Sequence, residues 1–191
     1  MAAMPAPPTG DSAATETGGR RIAVRGDPTM ASIGGVVAPL RAIPPEGSGL
    51  LWSNSNSRYQ MARFIDRATK TLHIQHPKFV DAVILDRLVA AVERGVKVHV
   101  LCGGKHGISE CDILDTSSSL RTLRRFGAKV HKQKNLRVHA KLIIIDEREA
   151  LVGSMNIDRS AFDLRRELGL TITDPAVVAR LLDVFDSDWD S

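Results

Sequence analysis

From His139 to Asn156 the chain reads HAKLIIIDEREALVGSMN. Its middle, Leu142 to Ile145, has the unbroken branched apolar character of a strand buried on both faces. The flanks differ. An imidazole and an ammonium stand two residues apart at the start, and a Gly-Ser-Met-Asn segment closes the return. In a strand alternate residues share a face. His139, Lys141, Ile143 and Ile145 therefore point one way, and Ala140, Leu142, Ile144 and Asp146 the other. The pair His139 and Lys141 falls at the rim of an apolar interior. Asp146 has the opposite parity and lies at the far end, which suits a structural role or an electrostatic role at one remove. The chain turns over Asp146 to Glu149 and returns as ALVGSMN. A hairpin of that length brings Gly153, Ser154 and Asn156 back beside the pair. Gly153 admits close backbone approach, and Ser154 and Asn156 supply short hydrogen-bonding groups. A nucleophile or base, a cation and neutral donors together suit a phosphate, which needs charge compensation and several donors.

Outward from this hairpin the pattern alternates. GLLWS reads as a strand, and a helix starting at Ser57 carries Met61, Phe64, Ile65 and Ala68 on one face. TLHIQH is a strand. Asp81 caps a helix that runs to about Arg94 and stops at Gly95, and VKVHVLC is the next strand. A helix is expected from Ser118 to Phe126, followed by strands at AKVHKQ, HAKLIIID, EALVGS and LGLTIT. Asp174-Pro175 opens a last helix, proline being suited to a first helical turn. Strand–helix alternation followed by hairpin strands predicts the α/β class: a mixed β-sheet with helices on both faces. The 191 residues are enough for one domain with a real core. Residues 1–48 are rich in Ala, Pro, Gly, Ser and Thr and are expected to be disordered or weakly structured. The domain is placed at 49–191, with Met30 as an alternative first residue.

No apolar run approaches the roughly 18–20 residues that span a bilayer, and no secretory signal pattern opens the chain. The expected location is cytoplasmic or peripheral to a membrane. Aromatic residues make up 4%, which argues against a base-stacking surface. Net charge is +4, but its distribution is more informative. Between Asp115 and Asp146 there is no acidic residue, while Arg121, Arg124, Arg125, Lys129, Lys132, Lys134, Arg137 and Lys141 fall in that interval. Such a run is a solvated face or a surface for an anionic partner. Cys102, His106 and Cys111 have a loose metal-like spacing with no fourth ligand, so a buried or free thiol is the preferred reading. Gln75 and His76 close a strand and either approach the same mouth or serve the structure. The stretch CGGKHGIS lacks the pattern of a nucleotide loop and reads as a loop at the substrate mouth.

The spacing His139-x-Lys141-x4-Asp146-x6-Gly153-Ser154-x-Asn156 resembles the HKD motif of the phospholipase D superfamily. RRELGLTITD is similar to that family's glutamate-bearing strand, VFDSDWDS to its closing helix, and DRLVAAVERGVKVHVLC to its upstream helix–strand unit. The resemblance covers about Leu50 to Asp190, one structural unit of the family, and implies its α-β-α sandwich. It further implies that His139 attacks phosphorus to give a phosphohistidine. Lys141 and Asn156, with Ser154, would hold the phosphate oxygens. Glu167 would accept a hydrogen bond from the other nitrogen of His139. Asp146 belongs to the catalytic signature, although parity favours a supporting role. No metal or other cofactor is implied.

One departure is large. The family uses two facing motifs, one histidine as nucleophile and the other as acid for the leaving group. This chain has one: His73, His76, His99, His106 and His131 lack the following Lys and Asp. Either two copies pair as a homodimer, or the chain is one lobe of a two-lobed enzyme, a reading that the lobe-like opening GLLWSNSNSRYQMARFIDRA also fits. Three functions follow as expectations. The first is a phospholipase D-like phosphodiesterase that hydrolyses or transfers phosphatidyl groups, active when a partner supplies the second motif. The second is a metal-independent endonuclease working as a homodimer. The third is a non-catalytic lobe. Partners would be a phospholipid, possible nucleic acid, and a membrane surface without a transmembrane segment.

Overall fold

The computed structural model describes residues 49–103 and 110–191. Segment 1–48, Met30 included, and the CGGKHGIS loop from its third residue, His106 included, lie outside the described residues.

The elements run β1 (Leu50–Trp52), α1 (Ser57–Asp66), β2 (Thr71–Gln75), α2 (Ala82–Glu93), β3 (Lys97–Cys102), α3 (Glu110–Phe126), β4 (Lys129–Lys132), β5 (Leu142–Ile145), β6 (Glu149–Gly153), a single π-helical turn (Ser160–Leu164), β7 (Leu168–Ile172) and α4 (Pro175–Asp190). The strands form one mixed seven-stranded sheet in the order β1-β7-β6-β5-β2-β3-β4. β2, β3 and β4 are parallel, because helices α2 and α3 carry the chain back between them. The pairs β2–β5, β5–β6, β6–β7 and β7–β1 are antiparallel.

The strand parity of the central hairpin divides the core. Ile143 and Ile145 join Met61, Phe64 and Ile65 of α1, Ile84 and Leu88 of α2, and Leu120 and Leu123 of α3 in the larger apolar cluster. Leu142 and Ile144 face the other way, against Val178, Leu181 and Leu182 of α4. Helices thus cover both faces of the sheet, three on one and α4 on the other. Local signals set the helix ends. The Asp81 carboxylate accepts from the Val83 and Ile84 amides at 3.1 Å each, and Gly95, at φ +87°, stops α2. Asp174 caps α4 in the same way through Ala176 and Val177.

Two boundaries differ from expectation. Helix α3 begins at Glu110 rather than near Ser118. Its first turns carry no apolar stripe, and they are held partly by polar groups, such as the buried Thr116 hydroxyl accepting from the Phe79 amide at 3.3 Å. Strand β5 begins at Leu142 rather than His139. Its neighbour β2 ends at Gln75, and Pro77 soon after has no amide to extend a ladder. The turn after β5 is tight. Asp146 and Glu147 both adopt positive φ, 51° and 56°, and the Arg148 amide donates to the Ile145 carbonyl at 3.0 Å.

The end of α4 is tied down by rings. Phe185 stacks on Trp189 with centroids 5.8 Å apart and meets His73 edge-on at 5.1 Å, while Trp189 touches His99 and His131 at 5.5 and 5.4 Å. Gln75 donates to the Asp188 carboxylate at 2.7 Å, so this strand-end residue serves α4. Among the described residues, no helix is long and apolar enough to cross a membrane.

Candidate active site

The β5–β6 hairpin delivers its chemistry where the ladder ends. Lys141 immediately precedes β5, and its carbonyl still accepts from the Gly153 amide at 3.2 Å. The Lys141 side chain folds back over His139, with Nζ 2.7 Å from the His139 carbonyl oxygen and 3.1 Å from each ring nitrogen. His139 is exposed, whereas Lys141 is half-buried. Burial pushes the Lys141 ammonium below its usual range, and nearby Glu167 partly offsets that.

On the returning strand Gly153 leaves room for close backbone packing. A Cβ there would stand 2.5 Å from the Leu168 carbonyl oxygen. The Ser154 amide donates to that carbonyl at 2.9 Å, and the Ser154 hydroxyl donates to the Glu167 carboxylate. Asn156 is half-buried, with its Oδ1 out of solvent and lacking a donor. Glu167 is seated from a distant segment: the Ser53 amide donates to its carbonyl at 3.0 Å, and its own amide donates to the Ser53 hydroxyl. The structure therefore brings His139, Lys141, Ser154 and Glu167 to one end of the sheet, with Asn156 two residues beyond Ser154. The direct His139–Glu167 hydrogen bond that the resemblance implies is absent from this arrangement, in which Glu167 is engaged by Ser154 and lies 3.6 Å from Arg165.

Asp146 is not part of this group. It stands at the opposite end of β5, where its carboxylate accepts from the amides of Thr69, Lys70 and Thr71 at 2.7 to 3.1 Å and from the Thr69 hydroxyl at 2.8 Å. Partial burial pushes its pKa up, but those donors win and hold it below the ordinary 3.8. The motif's aspartate clamps the β2 entry to the hairpin turn.

Other charged groups surround the site without a sequence signal to find them. Buried Asp158 accepts from the Ala161 amide at 2.7 Å and pairs with Lys78 at 3.4 Å and Arg165 at 3.5 Å. Lys78 also pairs with Asp112 at 2.7 Å. A line of alternating charge thus runs from α3 through Lys78, Asp158 and Arg165 to Glu167. Among the described residues, no three or more potential metal-ligating side chains gather. Cys102 is buried, its thiol 3.6 Å from the His131 carbonyl oxygen, and Cys111 is exposed.

Comparison with known proteins gives a consistent result. Residues 61–189 match the family described as the cardiolipin synthase, PLD-like domain. The chain is 31% identical over 138 residues to the major cardiolipin synthase ClsA of Bacillus subtilis, a match covering 72% of this chain and 28% of that protein. It is also 31% identical over 134 residues to a cardiolipin synthase of Staphylococcus aureus, covering 69% and 26%. The chain thus spans about a quarter of the length of these relatives. In fold it is similar to Nuc of Salmonella typhimurium, a phospholipase D family member, with a TM-score of 0.68 at 22% identity over 74% of this chain and 92% of that one. NucT of Helicobacter pylori is similar at a TM-score of 0.61 and 19% identity, covering 70% and 87%.

Proposed function

This chain belongs to the phospholipase D superfamily, and from that premise we propose that it cleaves or transfers the phosphodiester of a phospholipid through a phosphohistidine at His139. A ring nitrogen of His139 attacks phosphorus, the bond to the leaving alcohol breaks, and the alkoxide takes a proton from the imidazole of a second motif. Water or an incoming lipid hydroxyl then attacks phosphorus, gives its proton to that imidazole, and breaks the phosphorus–nitrogen bond. Lys141, Ser154 and Asn156 hold the non-bridging oxygens, whose charge grows in each transition state. Glu167 fixes and stabilises the imidazole once substrate has drawn the Lys141 ammonium off the ring.

The observation that carries this reading is the contact of Lys141 with His139 at a sheet end that also holds Ser154 and Glu167. The second motif comes from a second copy of the chain. Supporting this, β7, the strand that follows Glu167, leaves Leu168 and Leu170 55% and 43% exposed. Both lie on the sheet face on which α4 packs against β5 and β6. The test is headgroup release from phosphatidylglycerol vesicles, and transfer to a primary alcohol, in the presence of chelator, with the mass in solution measured alongside. Turnover by a dimer supports the reading; a folded dimer without turnover refutes it.

A nuclease reading also has an observation behind it. Arg121, Arg124, Arg125, Lys129, Lys132, Lys134 and Arg137 are all exposed and lead toward Lys141. DNA binding that weakens steeply with salt, together with DNA cleavage, would favour it.

A further inference from the structure

The sheet register places one more side chain at the site. Gln75 pairs with Leu142, and Leu142 with Val152. The next row across the sheet is therefore His76, Lys141, Gly153 and Gly169, the last two being paired directly. Parity sets His76 and Lys141 on the face of α1–α3, where both line a small cavity with Met61, Ile143, Gly153 and Met155.

His76 is an unusual lining for such a space. It is fully buried, and neither ring nitrogen makes a well-formed hydrogen bond, the Lys78 backbone being only near enough to favour the protonated ring. A buried polar group left unpaired costs about 1–3 kcal/mol, and a phenyl ring would fill the same outline without that cost. Burial first, then the charges of Lys141 and His139, push the imidazole pKa down to about 3, with the Lys78 backbone acting in the opposite direction. The ring is therefore neutral, with one N–H and one lone pair. Beside a lysine that already supplies positive charge, a neutral donor can bind an anion without bringing in a second cation.

We propose that His76 is a phosphate-contacting residue of this site, its imidazole N–H donating to a non-bridging oxygen of the phosphodiester that Lys141 holds by charge. This rests on the phosphodiesterase reading above. The contact forms when the Lys141 ammonium turns from His139 to the phosphate and uncovers the ring behind it.

The test uses the full chain and inorganic phosphate as the probe. In His76→Phe, phosphate affinity falls about tenfold, equivalent to about 1.4 kcal/mol, while the thermal midpoint stays the same or rises. His76→Gln or His76→Asn, which return a donor at one or other ring-nitrogen position, recovers most of the affinity. In the wild-type protein, ring-nitrogen NMR signals of His76 and His139 both move on phosphate addition, which decides the matter even if a variant misfolds. Unchanged affinity in His76→Phe, no recovery in either amide variant, or a still His76 signal while that of His139 moves would each overturn the proposal and leave the phosphodiesterase reading standing. No phosphate binding by the wild type would remove both.

Discussion

Ser154 donates its hydroxyl to the Glu167 carboxylate, so the glutamate faces its own strand neighbour while His139 rests against Lys141. This is a site at rest. On the proposed function, an arriving phosphate would compete for Lys141 and for the Ser154 hydroxyl together, and both departures would free groups for the His139 ring. Ser154→Ala removes a donor to the anion and the resting partner of Glu167. Its kcat/KM for headgroup release should fall roughly tenfold to a hundredfold, the range for a hydrogen bond to a charged group.

His139→Ala should lower turnover at least about a thousandfold, since the covalent step and its proton handling go with the ring. His139 is exposed and contacts little besides Lys141, so unfolding stability should stay within about 0.5 kcal/mol of wild type. Chemical denaturation alongside the vesicle assay checks both halves.

Asp146→Ala should do the reverse. The lost acceptor leaves the amides of Thr69, Lys70 and Thr71 without their carboxylate, a loss of about 1–3 kcal/mol, while turnover per folded molecule holds. Because its pKa is depressed below 3.8 in the folded chain, its contribution is complete above that value and disappears as pH falls below it. The wild type and Asp146→Ala should therefore converge in stability at strongly acid pH.

Histidines set a second pH dependence at milder acidity. Burial chiefly lowers the pKa of His73 and His99 below 6.5, with Asp186 opposing in both cases, and His76 is lowered to about 3. The unfolded chain takes up protons near pH 6.5 that the folded chain refuses, so stability falls as pH drops below that point. For His76 the decline continues to about pH 3. By pH 4.5 its share should be on the order of 2 kcal/mol. Thermal unfolding from pH 7.5 to 4.5 should show a steep decline in wild type and a shallower one in His76→Phe.

Leu168→Glu tests the pairing. Leu168 is 55% exposed beside Glu167, and a carboxylate there should shift a dimer to monomer in sedimentation and remove turnover with it, leaving the thermal midpoint nearly unchanged.

The hairpin that carries the site was legible because its signals are local: strand parity, a turn length and a Gly-Ser-x-Asn return. The caps at Asp81 and Asp174 were legible for the same reason. The start of α3 was not, since its opening turns show no apolar periodicity to read. His76 could be seen only as a strand-end histidine, for which a structural role weighed at least as much as a place at the mouth of the site. What buries it beside Lys141 is the pairing of β2 with β5, segments some 70 positions apart, and no local spacing encodes that register. Asp158 and Lys78 escaped notice for a similar reason, each being defined by partners on other elements.

The attachment of Glu167 to Ser53 has a practical corollary. The match to the family model begins at Met61, yet the amide and hydroxyl that seat the glutamate belong to a residue upstream of it, directly after edge strand β1. A fragment cut at that Met61 boundary would retain every residue of the HKD signature and lose the scaffold beneath its carboxylate. Any expression design meant to preserve chemistry has to begin no later than Gly49, whose carbonyl accepts from the Thr171 amide at 2.8 Å and fastens that first strand to β7.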